Sequence, residues 1–168
     1  MVQELKPTDF PKRVEFCQFI QEKLHEDNNF LDKILFSDGA RFSKNGAVNR
    51  HNCHYYSQVN PRWIRGTHFQ NIIISVNVWC GIINDHIIGP YFFDGNLNGE
   101  MYLQFLETQL GPLLEEIDLD MRRVMWFQHD GAPPHFHHIV RQHLNENFAS
   151  RWVGRGINTI GLLFMGNS

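Results

Sequence analysis

Val124-Met125-Trp126-Phe127-Gln128-His129-Asp130-Gly131-Ala132-Pro133-Pro134 is an apolar run that ends on a carboxylate and then breaks into a glycine and two prolines. A short apolar run bounded by turn residues reads as a buried strand. Pro134 suits the first turn of a helix, which the sequence predicts as far as about Asn147. Upstream, Lys33-Ile34-Leu35-Phe36-Ser37-Asp38 has the same form, a strand ending on a carboxylate. Ile72 to Ile83 is rich in β-branched residues and reads as a second strand, and His86 to Phe93 as a third. Asn84-Asp85 between them is a tight-turn pair, so an antiparallel hairpin is expected. From Gly99, the pairs Met101-Tyr102, Phe105-Leu106, Gln109-Leu110 and Leu113-Leu114 follow a helical period, with Pro112 a kink or boundary. Thr8 to Glu26 places Phe10, Val14, Cys17, Ile20 and Leu24 at helical spacing, a helix packed on the domain. The order helix, strand, insertion, strand, strand, helix, strand, helix predicts an α/β domain with a mixed sheet, the helix-linked strands running parallel with a right-handed crossover.

The chain has 168 residues, 42% hydrophobic and 20% charged, enough for one core and short for two. No apolar run approaches the roughly 20 residues of a bilayer-spanning helix. Met1 to Asp9 lacks the apolar core of a secretory signal, and Cys17, Cys53 and Cys80 are too scattered for a disulfide framework. These features predict reduced thiols, an intracellular protein and no membrane partner. The net charge of −3 is unevenly spread: Gly39 to Asn84 holds five basic residues and no Asp or Glu. There Arg41, Lys44, Arg50, Arg62 and Arg65 alternate with Phe42, Tyr55, Tyr56, Trp63 and Phe69. Basic groups of this kind bind phosphates and aromatic faces stack on bases, so a nucleic acid is an expected partner. The competing expectation is a solvated loop whose aromatics pack inward.

Asp38 and Asp130 each close a predicted strand, on the side of an α/β sheet where ligands bind. If the two strands are neighbours, the carboxylates converge, and two carboxylates held close call for a hard cation such as Mg²⁺ or Mn²⁺. Taken singly, Asp38 also reads as opening a turn with Gly39, and Asp130 as a cap on the following helix. The histidine clusters His51-Asn52-Cys53-His54 and His135-Phe136-His137-His138 raise zinc as a rival. Their spacing is poor for it, since His137 would point away from a helical His135/His138 pair.

Trp126-Phe127-Gln128-His129-Asp130-Gly131-Ala132-Pro133-Pro134-His135 resembles the catalytic-domain motif of mariner-type transposases, in the DDE/D transposase and integrase superfamily. Further stretches are similar to that family in the same order: Phe36-Ser37-Asp38, Val48-Asn49-Arg50, Ser75 to Ile82, Gly89 to Phe93, Leu97-Asn98-Gly99 and Arg151 to Gly156. The resemblance covers residues 7–156. It implies a ribonuclease-H-like mixed sheet flanked by helices and a nuclear DNA-handling protein, with a homodimer admitted. It also implies strand cutting and joining in which a water, then a DNA 3′-hydroxyl, attacks phosphorus in line between two ions about 3.5–4 Å apart. Asp38 matches the first metal-binding, catalytic carboxylate of the family and Asp130 the second. A helix starting near Pro134 would aim N–H groups at a phosphate.

The sequence departs from this family in three places. The third carboxylate of such a site falls roughly 34 to 37 residues past the second. Here that window reads Phe164-Met165-Gly166-Asn167, and no Asp or Glu follows Glu146. Glu146, about 10 helical residues away at 1.5 Å each, lies too far from Asp130 to substitute. Gly39 stands where a Glu commonly follows the first Asp, and the tail lacks the Trp-Pro-Pro and Ser-Pro-Asp-Leu pattern expected after Gly156. Truncation or a shifted reading frame would account for that tail. Only 37 residues precede Asp38, which leaves out the family's helix-turn-helix modules and predicts binding through phosphates rather than base readout. The expected organisation is an N-terminal helix over residues 1–30, an incomplete catalytic domain over 31–156 and a divergent tail over 157–168. The expected activity is weak or absent, and the alternative is a host-retained nucleic-acid-binding or interaction module without chemistry.

Overall fold

β1 (Ile34–Ser43) has partners of opposite sense on its two sides, and the rest of the sheet follows from them. In the computed structural model, which describes residues 9–43 and 75–154, β1 runs antiparallel to β2 (Ser75–Ile83) and parallel to β4 (Trp126–Gln128). β2 continues through an Asn84-Asp85 turn into β3 (His86–Phe93), and β5 (Trp152–Val153) joins the far side of β4 in parallel. The strand order is β3-β2-β1-β4-β5. Asn84 takes the turn at φ 52, a left-handed conformation that Asn tolerates better than most residues. The mixed α/β sheet and the hairpin are as expected from the sequence. Residues 72–74, predicted to open the second strand, lie outside the described residues.

Between β3 and β4 the chain forms α2 (Gly99–Thr108), α3 (Leu110–Leu113) and α4 (Leu119–Val124). Asn98 caps α2 by accepting from the Met101 N–H at 2.8 Å. The helical period breaks at Gln109, three residues before Pro112, the expected kink or boundary, which falls inside the short α3. α4 was not expected from the sequence; Asp118 caps it, accepting from Asp120 and Met121. α5 (His138–Asn147) then leads to β5.

One face of the sheet is the main core. Leu35, Trp79, Ile83, Ile88, Phe93, Phe127 and Trp152 pack there against Tyr102, Phe105 and Leu106 of α2 and Val140 and Leu144 of α5. Phe105 is its hub, with ring centroids 4.8 Å from Trp79, 4.9 Å from Tyr91 and 5.5 Å from Phe93. Among the described residues the opposite face is covered only in part, by α1 (Asp9–Glu26). That helix buries Phe19, with Phe16, Ile20 and Leu24, over Phe30, Ile34, Trp126 and Val153. Phe10, Val14 and Cys17, expected on the packed stripe, are exposed, because α1 meets the sheet through its C-terminal half. Further along this face Phe36, Ile82, Ile87 and Phe92 also stand in solvent.

Phe105→Ala is expected to lower unfolding free energy by about 3–5 kcal/mol in urea titrations, the usual cost of emptying an aromatic core site. Phe92→Ala, on the exposed face and 59% exposed, is expected to stay within about 0.5 kcal/mol of the parent.

Candidate functional site

The last paired rung of β1 and β4 joins Phe36 to Gln128. Asp38 and Asp130 each lie two residues beyond that rung on adjacent segments, so the topology brings the two predicted site residues to the end of the parallel pairing. A side-chain bond locks the rung, with Ser37 Oγ donating to the Gln128 carbonyl at 2.7 Å. On the other side, the backbone N–H of His129 donates to the Val153 carbonyl at 3.1 Å, which ties the approach to Asp130 onto β5.

The two carboxylates differ in setting. β1 does not end at Asp38, as its sequence suggested, but continues to Ser43, because β2 goes on pairing with it from Asp38↔Cys80 to Ser43↔Ser75. Asp38 is therefore a mid-strand residue, just where the parallel partner has stopped. It is exposed, and its Oδ1 accepts from the Gly39 N–H at 2.8 Å. Asp130 is half-buried in the loop after β4, and its Oδ1 accepts from the Ala132 N–H at 3.0 Å and from His135 Nδ1 at 2.5 Å. The expected helix start near Pro134 is displaced. Residues 133–136 form turns and α5 begins at His138, since the Asp130 carboxylate closes an Asx-type turn on Ala132 before any helix starts. The helix N-terminus expected near Pro134 therefore falls at His138.

The sequence did not single out the groups beneath Asp130. His135 and His129 are both buried, their rings stacked at 5.3 Å, and Tyr102 of α2 lies 4.2 Å from His135. Burial would raise the Asp130 carboxyl, but the His135 hydrogen bond and charge, the Ala132 N–H and His129 together hold it below the ordinary Asp range. Burial pushes His129 down to about 3, His135 adds to that shift, and the Asp130 charge opposes it. The Tyr102 hydroxyl is raised, first by burial and then by the Asp130 charge. His135 was legible as part of a histidine cluster and as the end of the family-like stretch, without a role; the usable signal was an Asp followed by a Pro-Pro turn and a His five residues on. At Gly154 the backbone comes so close that a Cβ would lie 2.6 Å from His129 Nε2.

Of the predicted DNA-binding residues, Arg41 is an exposed β1 residue whose guanidinium donates to Ser75 Oγ at 2.8 Å. Lys44, Arg50, Arg62 and Arg65 lie outside the described residues, as does the His51–His54 cluster. His135 and His138 do not form the helical pair considered for zinc, since His135 precedes α5 and faces Asp130. Among the described residues, no group of three or more His, Cys, Asp or Glu could hold a metal ion. No described helix is long and apolar enough to cross a membrane.

No family model matches the sequence, and no curated protein matches it. Among solved structures, the chain is similar to the catalytic domain of Mos1 mariner transposase, with a TM-score of 0.60 and 18% identity over 87% of this chain and 60% of that one. It is similar to the Mos1 transposase catalytic domain with raltegravir and Mg at a TM-score of 0.62 and 18% identity, over 92% of this chain and 64% of that one. For the Mos1 paired-end complex with the left transposon end the TM-score is 0.59 and the identity 19%, over 90% of this chain and 43% of that one. The chain has the fold of the mariner transposase catalytic domain. It spans 43% of the Mos1 chain in the paired-end complex and 60–64% of the catalytic-domain chains. The mariner-like fold is the ribonuclease-H-like mixed sheet that the sequence resemblance implied.

The buried histidine makes the fold acid-sensitive. Its folded value lies below the unfolded one of 6.5, so between about pH 6.5 and 3 the unfolded chain holds a proton on His129 that the folded chain does not. Stability therefore falls as pH falls through that window, and Asp130, lowered in the fold, adds in the same direction below about pH 4. Urea titrations are expected to show a loss of about 1–2 kcal/mol between pH 6.5 and 5, and a flatter profile for His129→Phe.

Proposed function

We propose that this chain is a mariner-type DDE transposase domain that binds DNA through phosphate contacts and cuts it weakly or not at all. The observation that carries the proposal is the register of the parallel pair, which leaves Asp38 and Asp130 two residues past the Phe36↔Gln128 rung in a mariner-like fold. The solved relatives carry Mg in one structure and a transposon end in another, and this reading extends both kinds of ligand to the present chain.

The donor set fits a hard divalent cation as far as it goes: two carboxylates on neighbouring chain segments, with oxygen the only ligating atom. Asp38 and Asp130 would hold Mg²⁺ or Mn²⁺. Bound there, such ions would stabilise the attacking and leaving oxygens of a phosphodiester. Asp38, exposed and bonded only locally, would lie on the side open to DNA, and Asp130 would form the rigid inner side. Arg41, at the same end of β1, would meet the phosphate backbone, with Lys44, Arg50, Arg62 and Arg65 extending the basic stretch. A nuclear location follows from this reading.

Weak or absent cutting is inferred from the donor count. The window in which the resemblance places the third ligand reads Phe164-Met165-Gly166-Asn167. A shell with two of its three carboxylates binds metal less tightly and holds the phosphate less firmly, and in-line transfer is sensitive to misplacement on the 1 Å scale. The same absence favours a second reading, a module that retains DNA binding without chemistry.

Gel shifts on duplex DNA, run between 50 and 200 mM salt, are expected to show binding that weakens steeply with salt and weakens further on replacing Arg50, Arg62 and Arg65 together. Plasmid nicking with Mg²⁺ or Mn²⁺ is expected to be absent or barely above an Asp130→Asn control. Robust nicking that disappears in Asp130→Asn would refute the inactive state while keeping the family reading. Absence of DNA binding at any salt would overturn the proposal as a whole.

A further inference from the structure

Asp130 is held by one of its two oxygens. The Ala132 N–H and His135 Nδ1 both reach Oδ1, at 3.0 and 2.5 Å, and among the described residues no such bond is seen at Oδ2. An ionised carboxylate only accepts, so the hydrogen in the His135 contact sits on Nδ1 and the ring is the donor. That ring has little freedom to swing away. It is 4% exposed, with the Tyr102 ring at 4.2 Å and the His129 ring stacked on it at 5.3 Å. Pro133 and Pro134 restrict the loop that joins it to Asp130. Asp38, by contrast, bonds among the described residues only to the N–H of the next residue.

We propose that His135 is a positioning residue that occupies Oδ1 of Asp130 and so presents Oδ2, in one fixed direction, to a divalent cation. The proposal rests on the metal reading above and goes beyond it by assigning the orientation of the ligand to a particular buried side chain. Groups that orient a metal ligand from behind commonly contribute 10- to 100-fold in affinity. With two carboxylates available, a larger share of the binding depends on each being aimed correctly. The Tyr102 and His129 rings act one step further back, by confining the imidazole.

The test is Mn²⁺ binding by the full 168-residue chain, followed through the electron paramagnetic resonance signal of free Mn²⁺, with melting temperature recorded for each variant. Asp130→Ala should abolish the tightest binding. His135→Phe, which keeps the ring volume and loses the donor, should weaken binding about 10-fold or more. His135→Asn, whose amide sits near the position of Nδ1, should stay within about threefold of the parent, and His135→Gln, whose amide reaches past it, should behave like the Phe variant. A merely structural role would lower melting temperature in all three variants without this split. Asp130-dependent binding that is equally strong in the Phe and Gln variants overturns the positioning role and leaves the metal reading standing. Absence of Asp130-dependent Mn²⁺ binding in the parent chain overturns both. If the Phe variant does not fold, the Asn and Gln pair decides, and equal affinities overturn the proposal.

Discussion

The parallel pairing of β1 with β4, three residues long and closed by the Ser37 hydroxyl on the Gln128 carbonyl, is the constraint on which the rest of the molecule depends. It joins the hairpin side of the sheet, β3-β2-β1, to the helix-connected side, β4-β5, and among the described residues no other strand pair bridges the two. Leu35 and Phe127, paired across it, are both fully buried and place α2 and α5 over one face. Ile34 and Trp126, the neighbouring pair, face the other way and receive α1. A slip of one residue in this register would exchange those two sets of side chains. It would also change which residues stand at the end of the pairing, where Asp38 and Asp130 now sit.

Much of this was legible in the chain itself, for physical reasons that differ by element. The β2–β3 hairpin could be read because β-branched residues, an Asn-Asp turn and a strand of eight residues are local signals. The two short apolar runs ending on Asp38 and Asp130 could be read as strands, but not where they stop. β1 is prolonged by pairing with residues of β2 far away in the sequence, and that information is not local. α4 escaped notice because its six residues carry no strong apolar period, and its clearest mark is the Asp118 cap. The start of α5 was misjudged because Pro134 is a good first-turn residue in general. Here the carboxylate of Asp130 captures Ala132 and delays the helix to His138.

The candidate site shows the same division. Its two carboxylates were visible from type and position, and the family resemblance supplied the metal and the DNA. The packing of His129, His135 and Tyr102 into one buried layer was invisible, because a strand end and a turn six residues apart meet a helix more than twenty residues earlier in the sequence. Tyr102 looked like one more apolar position on an amphipathic helix. Its neighbours are what make it part of the site: within about 6 Å it meets both histidines that face Asp130.

The contrast between the two carboxylates bears on how such a chain would drift if cutting were no longer under selection. Replacing Asp130 would disturb a buried set of hydrogen bonds and rings, so purifying pressure on folding alone would retain it. Replacing Asp38 would touch little besides the amide of its neighbour, and selection for a stable fold would barely notice. Among closely related copies, position 38 is therefore expected to vary sooner than position 130.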